Sequence, residues 1–134
     1  MNRKILLWAT FFGATAIILG AFGAHGLKKL IAAEQLAVFK TGVEYQMYHT
    51  FFLLFLGTQT ILSEKNLKWI LNFVLLGILF FSGSLYLLAT NSVTVIDFKF
   101  LGPITPIGGL FLILSWVLVS YDIYKKPTKK LDKM

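Results

Sequence analysis

A chain of 134 residues with 57% hydrophobic and 14% charged residues, and a mean hydropathy of +0.74, is one domain too poor in charge to coat a water-facing surface. Thirteen Lys and Arg against six Asp and Glu give a net charge of +7, but the charges are few and clustered, which excludes disordered, collagen-like and nucleic-acid-binding chains. The absence of Cys excludes disulfides and thiolate chemistry, and the remaining class is an integral membrane protein.

Four charge-free runs, residues 5–24, 45–63, 69–96 and 100–121, are each long enough to cross the bilayer. About 20 helical residues span a hydrocarbon core of about 30 Å. The runs lack period-2 alternation, and a backbone in lipid must satisfy its own hydrogen bonds, so helices are predicted. The fold class is an all-α membrane protein, a four-transmembrane-helix bundle occupying residues 1–134 as one domain. Its helices are expected at 5–24, 43–62, 69–91 and 103–122, with a short basic tail at 125–134.

In chain order, the first helix follows the basic start Asn2-Arg3-Lys4. A cleaved signal peptide is the competing reading, with Ala21-Phe22-Gly23 as the cut site. The apolar stretch exceeds the usual core of about 7–15 residues, however. Ala9, Gly13, Ala16, Gly20 and Gly23 recur at helical spacing and form a helix-packing seam. Residues 28–43 mix Leu36, Val38 and Phe39 with Lys28, Lys29, Glu34 and Lys40, an amphipathic segment expected to lie at the outer interface and run into the second helix. Residues 63–68 make a tight turn. The third run is too long for one upright helix, so its β-branched end at 92–98 is expected to be an extended loop. Thr105 before Pro106 predicts an N-cap with a first-turn proline. The fourth helix then either begins at Pro103 with a kink or has its N-terminus recessed into the outer leaflet, where it could face an anionic group. The tail after Pro127 is expected to be disordered, and its lysines can meet anionic headgroups.

Placing both termini on one side puts nine basic residues there, Arg3, Lys4, Lys65, Lys68, Lys125, Lys126, Lys129, Lys130 and Lys133, against Lys28, Lys29, Lys40 and Lys99 on the other. Basic residues stay cytoplasmic, so both termini are expected inside a plasma (inner) membrane protein, N-in and C-in. Trp8, Trp69, Trp116, Tyr121 and Tyr124 are then expected near the inner interface.

The costly polar residues gather at the opposite level. The candidate polar cluster is His25, Glu44, Tyr45, Tyr48, His49, Tyr86 and Thr105. On the second helix, with Glu44 at 0°, Tyr48 falls near 40°, Thr41 near 60°, Tyr45 near 100° and His49 near 140°, at about 100° per residue. Ionisable groups at such depth suggest function, and the alternative is a neutral His49 bonded to a tyrosine or a backbone carbonyl as glue between helices. Glu44 and His49 are poorly placed to chelate jointly, no HExxH spacing exists, and neither a metal nor a cofactor is expected. No nucleophile with an adjacent base is present, so no catalytic residue is assigned.

Gly20-Ala-Phe-Gly-Ala-His-Gly-Leu27, Thr41-Gly-Val-Glu-Tyr-Gln-Met-Tyr-His49, Ser82-Gly-Ser-Leu-Tyr86 and Leu101-Gly-Pro-Ile-Thr-Pro-Ile-Gly-Gly109, with Trp116, resemble the YgdD/YwdK-type family of small multi-pass inner-membrane proteins. The resemblance runs from the first helix to Trp116 and implies a four-helix bacterial plasma-membrane protein with no settled activity. The family often has Gly where this chain has Ser115. Three functions follow for weighing: a non-enzymatic bundle that assembles with itself or a larger membrane partner, a small-solute or ion permease acting as an oligomer, and a lipid- or quinone-directed enzyme. The bilayer is the expected environment, with no nucleic acid partner.

Overall fold

The structure is a computed structural model that describes residues 2–126; Lys129, Lys130, Lys133 and the tail expected to be disordered lie outside the described residues. Among the described residues every regular element is helical. Four long helices form the molecule: α1 (Arg3–His25), α2 (Ala33–Thr58), α3 (Glu64–Ala89) and α4 (Ile104–Lys125). Three apolar segments, Arg3–Lys29, Glu64–Ala89 and Lys99–Lys125, are long and apolar enough to cross a membrane. Helix α2 falls outside that set because Glu44, Gln46, His49 and two tyrosines lower its hydropathy. It nevertheless runs antiparallel along α1, from Phe39 beside Gly23 to Gly57 beside Leu6.

Local chemistry fixes the ends. The Asn2 carboxamide accepts the Ile5 N–H at 3.1 Å and caps α1, while the Asn2 N–H donates to the Gly57 carbonyl at 2.7 Å. After a short 3-10 turn, Leu27–Lys29, α2 begins at Ala33, ten residues before the expected boundary. The amphipathic stretch belongs mostly to that helix: Leu36 and Phe39 are its buried face, and Glu34 and Lys40 its open one. Helix α2 stops at Thr58, where the Gln59 side chain accepts the Leu62 N–H at 2.7 Å. Ser63 then caps α3 by accepting the Asn66 N–H, so Lys65 and Lys68 lie on the helix rather than in a turn.

Helix α3 contains a feature absent from the sequence reading, a π-helical turn over Ile78–Ser82 between the α-helical stretches Glu64–Gly77 and Gly83–Ala89. The segment after it is not simply extended. A 3-10 turn at Asn91–Val93 leads to a bend held by Asn91, whose Oδ1 accepts the Phe98 N–H at 2.7 Å. Helix α4 begins at Ile104 with Pro103 at its cap position. Thr105 is therefore inside the first turn instead of capping it. Pro106 also sits in that turn, where its missing N–H costs nothing, so the helix needs no kink there.

The termini of the bundle and the 59–63 turn share one end; the 26–32 and 90–103 connections share the other. Ile5, Ala9, Leu53, Leu56, Ile70 and Val74 fill the core near the first end, all buried. Helix α4 packs on α3 through Gly108, Leu112, Ser115, Val119 and Asp122, a buried face of four- and three-residue spacing. At Gly108 a Cβ would collide with the backbone of Phe80 and Phe81, so only glycine permits this crossing.

Candidate functional site

The polar side chains form four separate contacts rather than one cavity. At the first, α2 meets α1 and α3 through Gln46, which is only 3% exposed. Its Nε2 donates to the Phe12 carbonyl at 2.9 Å and to Thr15 Oγ1 at 2.8 Å, and its Oε1 accepts the Tyr86 hydroxyl at 2.6 Å. Both amide hydrogens and the carbonyl are thus engaged. Ser82, fully buried at the end of the π turn, donates to the Gly42 carbonyl at 2.7 Å one turn above. The Tyr86 ring lies against Gly42, where a Cβ would come within 2.7 Å of it.

The second contact joins α2 to α4. The Trp116 indole N–H donates to His49 Nε2 at 3.1 Å, and His49 Nδ1 lies 2.7 Å from the Tyr45 carbonyl. An indole can only donate, so Nε2 is the unprotonated nitrogen and Nδ1–H is the donor to Tyr45. This is a neutral imidazole. The Trp116 ring stacks on Phe52 with centroids 4.0 Å apart. Trp116 therefore sits at mid-helix against His49, where the single N–H of its indole finds its partner.

Third, Ser84 and Thr105 join α3 to α4 through hydroxyls 2.6 Å apart. Fourth, at the terminal end, Asp122 is 5% exposed; its Oδ2 accepts the Ser63 N–H at 2.9 Å and its Oδ1 accepts Asn66 Nδ2 at 2.6 Å. No described buried side-chain nitrogen or oxygen lacks a hydrogen-bond partner.

The seven candidate residues thus divide. Tyr86, His49 and Thr105 enter three different inter-helix contacts. His25 is exposed at the end of α1, and Glu44, Tyr45 and Tyr48 lie on the open face of α2. Among the described residues no three of His, Asp or Glu converge as metal ligands. The seam on α1 faces α2: a Cβ on Gly13 would meet Thr50, one on Gly20 Val43 and one on Gly23 Phe39, while Ala9 and Ala16 are fully buried. Gln46, Ser82, Ser84 and Asp122 were the residues missed as sites. Gln46 falls 200° from Glu44 on the helical wheel, on the face shared by Phe39, Leu53 and Gly57, and that placement was the available signal.

Two grooves open on the sides of the bundle. One, of about 350 Å³, is lined by Trp8, Phe12, Leu75, Leu79 and Gly83 together with Gln46 and Tyr86. The other, of about 360 Å³, runs between α2 and α4 past Tyr45, His49, Phe81, Leu112, Ile113 and Trp116.

Residues 19–109 match the protein family described as "Protein of unknown function (DUF423)". The chain is 38% identical over 128 residues to a UPF0382 membrane protein of Haemophilus influenzae, covering 96% of this chain and 99% of that one. It is 41% identical to the UPF0382 membrane protein YwdK of Bacillus subtilis, covering 78% of this chain and 82% of the relative. It is 36% identical to the UPF0382 inner membrane protein YgdD of Escherichia coli, covering 88% and 87%. No solved structure matches. With its apolar helices and near full-length relatives, the chain belongs to the DUF423 family of UPF0382 membrane proteins.

Proposed function

We propose that this protein is a non-enzymatic, four-span plasma-membrane bundle, both termini cytoplasmic, that works by associating with copies of itself or with a larger membrane-protein partner. The observation that carries the reading is the closure of its buried polar contacts. Gln46, Ser82, Ser84, His49 and Asp122 each spend at least one hydrogen bond on another helix or its flanking turn. Among the described residues that leaves no buried polar row along which a solute or ion could pass, and no nucleophile paired with a base. The apolar core near the termini would also block a path through the monomer.

Four spans are supported by α2 running the height of α1: a 26-residue helix is about 39 Å long, and whatever layer α1 crosses its neighbour crosses too. The basic residues at the terminal end support the orientation. Association is supported by the exposed apolar residues of the bend after α3. Val95 is fully exposed and Ile96 and Phe100 largely so, on a segment pinned by Asn91 and Asp97. The seam of α1 is occupied within the chain, so association would use this bend or the outer faces of α1 and α4.

The chain has no Cys, so single-Cys variants at Ile17, Val95 or Leu110 report neighbours cleanly. Crosslinking in native membranes is expected to trap a homo-oligomer or a defined partner from at least one position. A monomer from all three, at native expression, would overturn the association reading. Reporter fusions within residues 26–32 and 92–98 are expected to report one side, and fusions within residues 59–63 and after residue 126 the other; 26–32 and 59–63 on the same side would remove α2 as a span.

A further inference from the structure

The open face of α2 carries a carboxylate where lipid would be the neighbour. Glu44 is exposed, and Tyr48 (53% exposed) and Tyr45 (39%) flank it one turn and one residue on. The tyrosine rings lie edge to face, centroids 5.4 Å apart, and Tyr45 leans on Phe81 at 4.9 Å. Lys40, also exposed, stands one turn nearer the distal end, about 6 Å along the axis and about 40° around it. The level is fixed by α1: Val43 faces Gly20, five residues before the end of that helix at His25, so Glu44 lies about 7–8 Å inside the bundle's distal end. In the four-span orientation this is just under the outer headgroups. From Tyr45 the 360 Å³ groove leads inward to Ile113 and Trp116. Its size is that of a small-molecule site, about 300–1,000 Å³. The Trp116 N–H is already engaged with His49, which leaves the groove wall apolar.

A cation and an anion one turn apart, two tyrosine faces and an adjoining apolar groove are complementary to a zwitterionic lipid. We propose that this face binds a phospholipid with a primary ammonium headgroup. The phosphate, one turn nearer the surface, faces Lys40; the headgroup folds back from it so that the ammonium sits between the Glu44 carboxylate and the rings of Tyr45 and Tyr48, and an acyl chain follows the groove to Trp116. A carboxylate facing acyl chains is costly, and an ammonium donor supplies both a countercharge and hydrogen bonds. An anionic headgroup would meet Glu44 with repulsion. The proposal takes its depth from the four-span reading, which the reporter fusions test on their own, and it does not require the protein to self-associate.

The test uses the full chain reconstituted in vesicles of equal parts phosphatidylethanolamine and phosphatidylglycerol, then native mass spectrometry of the released protein with its retained lipid. Phosphatidylethanolamine is expected to be retained in excess over phosphatidylglycerol. Glu44→Gln should cut that retention about five-fold or more, and Ile113→Trp, which fills the groove, should do the same. Both side chains are exposed, so unchanged melting of the variants shows the fold intact. Equal retention of the two lipids by the unaltered protein, or retention by Glu44→Gln and Ile113→Trp that matches it, overturns the proposal. So does a crosslinked second copy covering Tyr48 in place of lipid.

Discussion

Gln46 joins three helices with three hydrogen bonds, and in a membrane such bonds matter because lipid offers apolar surfaces no hydrophobic reason to separate from it. Tyr86→Phe, which removes one donor and keeps the ring against Gly42, is expected to lower stability by about 0.6–2 kcal/mol. Gln46→Leu, which removes all three bonds and strands the Tyr86 hydroxyl, should cost more, about 1–3 kcal/mol. Unfolding of the purified protein in mixed micelles checks both. Neighbouring glycines predict a sharper contrast. Gly108→Ala drives a methyl into the backbone of Phe80 and Phe81, and backbone cannot rotate aside, so a loss of about 1–3 kcal/mol is expected. Gly109→Ala meets only the Phe81 ring at 3.6 Å and should leave the melt unchanged. At this scale the sequence was a partial guide. It selected Tyr86, His49 and Thr105 as costly residues, but ranking polar groups by ionisability passed over Gln46. Ser82 and Ser84 give no periodic signal, because a hydroxyl on a buried helix face looks like any small residue until its acceptor is known.

At the scale of the element, the third helix gains its reach from the π turn. One residue more per turn over Ile78–Ser82 rotates the segment Gly83–Ala89 relative to an unbroken α-helix. That rotation places Tyr86 on Gln46 and Ser84 on Thr105. Deleting Leu79 removes the extra residue, so an α-helical turn over the shortened stretch should leave Tyr86 and Ser84 facing Gln46 and Thr105. Inserting an alanine after Gly83 instead turns the segment that follows by about 100° and breaks both bonds. Thermal unfolding in detergent is expected to show a larger fall in melting temperature for the insertion than for the deletion; an equal fall would mean that the turn sets no register. Helix positions were readable from the hydrophobic runs because lipid-facing length leaves few alternatives. The π turn was not, since Ile-Leu-Phe-Phe-Ser suits an α-helix equally and the backbone that packs against it, at Gly108, is distant in the chain. The early start of α2 was hidden for a related reason: its first turns stand at the distal end, where one polar face is tolerated and hydropathy falls.

For the whole molecule, two antiparallel pairs meet along α2 and the upper part of α3. The apolar half near the termini would hold by close packing, the distal half by hydrogen bonds. The sequence offered only the tight turn at 63–68, which joins α2 to α3, whereas the most extensive packing is of α1 on α2 and of α3 on α4; which polar residues share a contact depended on rotations that no spacing reveals. The closure at the terminal end has its own prediction. Asp122→Asn keeps the shape of the side chain but turns one of its two acceptor oxygens into a donor facing either the Ser63 N–H or the Asn66 amide. A loss of about 1–3 kcal/mol is expected, read by the same unfolding assay. Ser63 and Asn66 stand 59 and 56 residues ahead of Asp122 in the chain. The first hairpin can therefore zip on entering the bilayer, but the junction between its second helix and the next stays unlatched until the fourth helix arrives. That helix is thereby the latch on a turn made well before it.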